Sequence, residues 1–355
     1  MKYVLFLLLA SNAFAQVQSA AVTRFTYALD GLQTAYSGKT IDATLAGSGQ
    51  NDVPGVDESP RQLLFRLESL FRLYGNSYPQ LSTQFLSSVK GLEDGIGHYG
   101  DTQDFLQEAQ QGEANDAAYI QKMTDQNTAA LANMQTLLQS WASPTNSPMA
   151  DNIRAAVTPI FATITPDQDR AALVSEILIL LNLLETKKFD MTKLESGIHE
   201  LRRQARWLEY YTYAIGGLFI WDTTGAQAQC PADATAAGFG SISLDGYENV
   251  TPIAPVDNPC YIAACLGAKV SDIQNNLAGI KETAVLGDAS QEKDLEYASP
   301  EVTQQATALY NTLLGVGGGP KIIDELKTQF QACLVANPVT PPTPAPVASP
   351  APAQP

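Results

Sequence analysis

The sequence predicts a mainly α-helical chain: two pseudo-repeated helical bundles, a cysteine-pinned loop insertion and a disordered proline-rich tail. Three observations carry this reading. Apolar residues recur at three- and four-residue spacing along most of the chain. No stretch alternates apolar and polar residues often enough to build a sheet. Two distant segments share one residue pattern, as a duplicated unit would.

The first element is not part of the fold. Lys2 precedes an apolar run from Val4 to Ala10 that is too short to span a bilayer, and Ala13-Phe14-Ala15 fits a small-x-small cleavage site. Residues 1–15 therefore read as a secretory signal peptide, which places the mature chain in the periplasm or outside the cell. No later segment reads as a membrane span. The most apolar run, Ile177 to Leu184, is far below the ~18 residues that a span needs and reads as a core helix.

A first amphipathic helix is expected from Val17 to Tyr36, followed by a Gly/Asp/Ser/Thr-rich loop from Gly38 to Val56. Ser59-Pro60 supplies an N-cap and a first-turn proline for a helix over Arg61 to Tyr74, with Leu63, Leu67, Leu70, Phe71 and Tyr74 on one face. Leu81 to Leu92 reads as a helix closed by the glycines of Gly95 to Gly100. Asp101 to Ala109 resumes it, so His98 and Asp101 are expected side by side in a turn. Helices then follow over Asn115–Ala142, Ile153–Ala162, Asp167–Glu185 and Met191–Phe219.

Residues 222–258 break the pattern and read as a long loop or small hairpin, with weak alternation around Ile242 to Tyr247. Helical periodicity returns over Cys260–Leu286, Pro300–Leu314 and Lys321–Leu334. From residue 336 to 355 the chain is mostly Pro, Ala, Val and Thr, a composition that buries no core and reads as an extended spacer. The span 16–335 exceeds the ~250–300 residues at which single cores stop growing. It divides into a first half, 16–190, and a second half, 191–335, which carries the insertion.

The net charge is −16, from 21 Lys and Arg against 37 Asp and Glu. General nucleic-acid binding needs a basic footprint and is not expected, nor is docking on anionic lipid. The four cysteines, Cys230, Cys260, Cys265 and Cys333, all lie in the last third, an even number suited to two disulfides in an exported chain. Three connectivities are open. Loop closure favours Cys230 with Cys260 and Cys265 with Cys333, and zinc is the competing use of these thiols.

The densest chemistry lies between Gly197 and Tyr211. With His199 at zero and ~100° per residue, Arg203, Arg206 and Arg202 fall within an arc of about 100°. Tyr210 and Tyr213 continue that face. Guanidinium forks match phosphate and carboxylate oxygens bidentately, so this face suits an anionic ligand. Glu195, Glu200 and Glu209 are close enough in sequence to pair with the same arginines, which is the structural alternative.

The shared pattern lies in Leu92 to Asp101 and Ile273 to Glu282, aligned without gaps. Arg61, Arg66, Glu68 and Arg72 precede the first copy; His199, Arg202, Arg206 and Glu209 precede the second. At these residues the chain resembles the CHAD family (conserved histidine α-helical domain), whose halves carry His-x-x-Arg with further basic residues at helical spacing, then Leu-Gln-x-x-Leu-Gly-x-x-x-Asp. His199, Leu201, Arg202, Arg203, Arg206, Leu208 and Tyr210 fit the first motif, and Leu92, Ile96, Gly97 and Asp101 the second. The likeness covers about residues 58–106 and 192–286.

The resemblance implies two pseudo-symmetric helical bundles and a polyphosphate site on His199, Arg202, Arg203 and Arg206, with Arg61 and Arg66 from the first half. Glu58 stands where that family has its first histidine, and Phe65, Glu68, Trp207 and Glu209 stand where it has basic residues.

No nucleophile elbow, phosphate loop, His-Glu-x-x-His or dinucleotide fingerprint is present. The expectation is an exported, non-enzymatic binding protein without a cofactor, taking polyphosphate or another anion. The alternative is a structural or interaction protein whose insertion or tail meets a protein partner. A third reading is a metal site from His98, Asp101, Asp104 and His199. The imelysin-like metal-uptake proteins carry Gly-x-His-x-x-Glu; Gly197 and His199 begin that pattern, but Arg202 stands in place of the glutamate.

Overall fold

The computed structural model describes residues 19–37, 58–111, 117–143, 145–222, 253–254, 256, 259–286, 297–318 and 321–335. The signal segment, the Gly38–Val56 loop, Cys230, the Ile242–Tyr247 alternation and the tail 336–355 lie outside the described residues.

Helix α1 (Ala20–Tyr36) starts at Ser19, whose hydroxyl accepts from the Val22 amide and donates to the Phe161 carbonyl at 2.7 Å. α2 (Pro60–Leu73) opens on a complete capping box, in which Ser59 and Gln62 satisfy each other's backbone amides. α1 and α2 pack together, and Phe25 of α1 meets the rings of Phe71, Tyr74 and Phe161. α3 (Ser87–Gln111) is entered through a π-helical turn at Ser82–Leu86 and pairs with α4 (Ala117–Leu138) as a hairpin.

The expected glycine break in α3 does not occur; Gly95 to Gly100 are helical, and His98 lies on the helix rather than in a turn. Packing overrides the low helix propensity of glycine here. A Cβ on Gly95 would come within 2.6 Å of Leu137 on α4, and one on Gly97 within 2.3 Å of the Arg61 guanidinium. Bare backbone lets both neighbours approach.

α5 (Pro148–Phe161) packs on α1. α6 (Pro166–Thr186) starts with a second capping box, Thr165 with Gln168. A π-helical turn over Leu194–His199 leads into α7 (Glu200–Ala214). Gly197 in that turn lies on the Asp190 carbonyl; a Cβ would fall 1.7 Å from its oxygen.

The helix expected from Cys260 begins later. Residues Cys260–Ala263 form β2, which pairs in parallel with β1 (Phe219–Asp222), Phe219 opposite Cys260. Helices α8 (Ala264–Leu286), α9 (Pro300–Leu314) and α10 (Ile322–Val335) complete the chain. α2 packs against α3, α7 against α8, and α2 and α7 against each other; α6 meets both α7 and α10. One hydrophobic core runs through these contacts. Among the described residues no helix is long and apolar enough to cross a membrane.

Among the described residues, two ion pairs lie buried in the core. Arg24, fully buried, pairs with Asp169 at 2.6 Å and donates to the Tyr74 hydroxyl, which in turn donates to Asp169. Burial and the Asp169 charge both push the Tyr74 phenol well above its ordinary value. Arg66 pairs with Glu58 at 2.6 Å, also donates to the Tyr213 carbonyl, and lies 3.9 Å from the Tyr213 ring centroid. Each charge is offset by its partner, because an isolated buried ion would cost several kcal/mol, about 3–5 when one partner is removed.

The cysteines depart from the expected pairing. Cys260 in β2 and Cys333 near the end of α10 are buried free thiols hydrogen-bonded to each other. The pairing of Cys260 with Cys230 and of Cys265 with Cys333 is therefore corrected: the strand that opens β2 docks on α10, which sets Cys260 beside Cys333.

Candidate functional site

Between α3 and α7, over a floor made by α2, lies a groove of about 990 Å³. α7 begins at the π-helical turn, so His199 sits at the junction and Arg202, Arg203 and Arg206 follow within two turns of it. All four line the groove, as does Arg61 from α2. Five of the six expected anion-site residues therefore converge. Arg66 does not. It is turned into the core by Glu58 and stacked on Tyr27 and Tyr213, so its assignment to the site is corrected. Tyr213, expected on the ligand face, is occupied by the same contact.

The floor is aromatic. Phe65 stacks on Tyr210 with centroids 4.5 Å apart and meets Trp207 edge-on. Arg206 lies 5.1 Å from the Phe65 centroid and 5.6 Å from that of Tyr210; Arg72 lies 4.5 Å from Trp207. A guanidinium over a ring is held by the ring quadrupole at the cost of few hydrogen-bond donors. Among the described residues no carboxylate lies within ion-pair distance of Arg206, and its buried Nε has no hydrogen-bond acceptor.

Four other cations on this surface have carboxylate partners. Arg61 bonds Glu93 at 2.9 Å, Arg72 bonds Glu68 at 2.7 Å, Lys90 bonds Asp94 at 2.6 Å, and Arg203 bonds Glu200. Burial raises the Glu93 carboxyl above its usual value, and Arg61 only partly offsets this. Of the three glutamates near α7, Glu200 takes Arg203 and Lys187, Glu195 lines the groove, and Glu209 is turned toward Ser271 of α8. Burial raises the Glu209 carboxyl.

The α3 wall is the opposite of the α7 wall. Glu93, Asp94, Asp101 and Asp104 recur along its groove-facing side with His98. His98 and His199 thus line one groove, as the metal reading requires. Yet no group of three or more His, Cys, Asp or Glu among the described residues is arranged to hold a metal ion. Trp207, an aromatic that the sequence offers as groove-lining, does line it, whereas Lys90 and the Glu68–Arg72 pair were not expected there. The i, i+4 spacing of the last was the available signal.

The chain matches no protein-family model, no curated protein and no solved structure.

Proposed function

We propose that the chain is an exported, non-enzymatic binding module, a divergent CHAD-like fold, whose α7 wall takes a compact phosphate-bearing anion. The observation that carries this is Arg206: a guanidinium on an aromatic floor at a groove, with no carboxylate within ion-pair distance among the described residues. Arg202 and His199 flank it on the same wall. Such a group presents donors to an incoming oxyanion at little cost in broken ion pairs.

The acids of α3 limit what enters. A long polyanion laid along the groove would run beside Asp94, Asp101 and Asp104, where like charges repel. A short anion held at the α7 wall avoids them. Pyrophosphate or a phosphate ester therefore suits this groove better than a long polyphosphate chain. A structural role is supported for Arg61 and Arg72, both bonded to buried carboxylates.

Isothermal calorimetry of the purified chain with pyrophosphate and with long-chain polyphosphate, at low and moderate salt, tests the reading. Pyrophosphate is expected to bind with an affinity that falls as salt rises, and Arg202→Ala/Arg206→Ala to weaken it about tenfold or more. Absence of binding at low salt, or equal binding by the variant, overturns it. Loss of stability in the variant without any change in binding would favour the structural alternative.

A further inference from the structure

We propose that Cys260 and Cys333 form a disulfide site that fastens the parallel strand pair to the last helix. The two sulfurs belong to elements already locked in register. The Ala263 amide at the end of β2 donates to Gln329 Oε1 of α10 at 2.8 Å. Phe219, opposite Cys260 across the strand pair, meets Phe330 edge-on with centroids 5.1 Å apart. Gln329, Phe330 and Cys333 lie within four residues of one another, on the part of α10 that covers β2. Both cysteines are buried, 6% and 7% exposed, and their thiols contact each other. A disulfide demands close, correctly aimed Cβ atoms, and docking of α10 supplies that proximity before any bond exists.

The surroundings give the two sulfurs different parts. The hydrogen bond from Cys333 holds the Cys260 thiol below its usual value, against the effect of burial, and the Arg170 charge helps. The same hydrogen bond, with burial, pushes the Cys333 thiol up. Cys260 is the attacking thiolate and Cys333 the resolving thiol. With a small-molecule disulfide as oxidant, the Cys260 thiolate attacks one sulfur, the oxidant's S–S bond breaks, and one thiolate leaves. Cys333 then gives up its proton and attacks the Cys260 sulfur of the mixed disulfide, expelling the second thiolate. Two protein thiols are oxidised and one oxidant disulfide is reduced to two thiols. Because both sulfurs are buried, the oxidant reaches Cys260 through local opening at the end of α10.

The full chain is unfolded and reduced, then refolded with oxidised glutathione. Remaining thiols are alkylated, and the chain is digested without reductant and mapped by mass spectrometry. A peptide pair joined through Cys260 and Cys333 is expected. Links from Cys230 to Cys260 and from Cys265 to Cys333, or alkylation of both Cys260 and Cys333, would overturn the proposal. Reduction of the oxidised protein should lower its Tm by about 5–10 °C. In Cys260→Ala/Cys333→Ala the share of that dependence due to this pair should be gone, leaving only that of the disulfide at Cys265, whereas a variant with the same reductant sensitivity as the parent would show that the clamp is not there.

Discussion

Helices α2 and α7 pack against each other and each carries three arginines, but they treat the guanidinium differently. On α2, Arg61, Arg66 and Arg72 each bond a buried carboxylate, and Arg66 is itself 3% exposed. On α7, Arg203 has an i, i+3 partner at the surface, and Arg206 rests on rings. The difference teaches that the neighbouring residues, and not residue type, decide what an arginine does: a carboxylate lies within reach of each guanidinium on α2, and rings lie against Arg206. A desolvated guanidinium needs a counter-charge within the protein. Arg206 at the groove is only partly desolvated, its Nε buried among the rings, and it stands without an ion pair among the described residues.

The comparison breaks most readily at Glu58. Glu58→Ala leaves Arg66 buried without its counter-charge and is expected to cost about 3–5 kcal/mol in urea unfolding. Arg206→Ala, which removes a stacked cation with no ion pair among the described residues, should cost only about 1 kcal/mol. Similar losses in the two variants would erase the distinction drawn here.

A smaller effect is expected at the entry to α7. Gly197→Ala would drive a Cβ into the Asp190 carbonyl, so the π-helical turn must shift, at about 1–3 kcal/mol. Because His199 ends that turn, anion affinity should fall together with Tm. A variant with unchanged Tm and unchanged affinity would mean the turn has no part in presenting the α7 wall.

The smallest effect concerns the exposed pair on α7. Burial alone would raise the Glu200 carboxyl, but hydrogen bonds from Arg203, Lys187 and Gln204 bring it down to about 2. A depressed folded-state value means stability that is fully present above the ordinary carboxylate range and is lost as pH falls from about 4.5 toward 2. Solvent screening keeps the contribution small. Glu200→Gln should flatten this part of the pH–stability curve; if the acid limb is the same in parent and variant, the Arg203–Glu200 bond contributes nothing measurable.

Much of the helical order was legible because its signals are local. Ser59-Pro60 marks the start of α2, and Thr165-Pro166, with Gln168, marks α6; each is read from neighbouring residues. What sequence missed depends on distant partners. The glycines of α3 look like a helix break until Leu137 and Arg61 are placed against them. β1 and β2 are four residues each and pair in parallel across the segment 223–259, beyond the reach of periodicity. The groove was half visible: helical phase put His199, Arg202, Arg203 and Arg206 on one face. It could not show that Glu58, read as standing in place of a histidine, is the partner of Arg66.

The hairpin of α3 and α4 gives the groove unequal sides. α7 is wedged against α2, α6 and α8, whereas α4 packs chiefly on α3 and buries few side chains, Met123, Ala130, Met134 and Leu138 among them. Segments with few buried contacts open at lower free energy than the core they hang from. The cationic jaw is braced on three helices, and the acidic jaw on α2 and on the lightly buried α4. The width of the mouth therefore follows the α3–α4 hairpin.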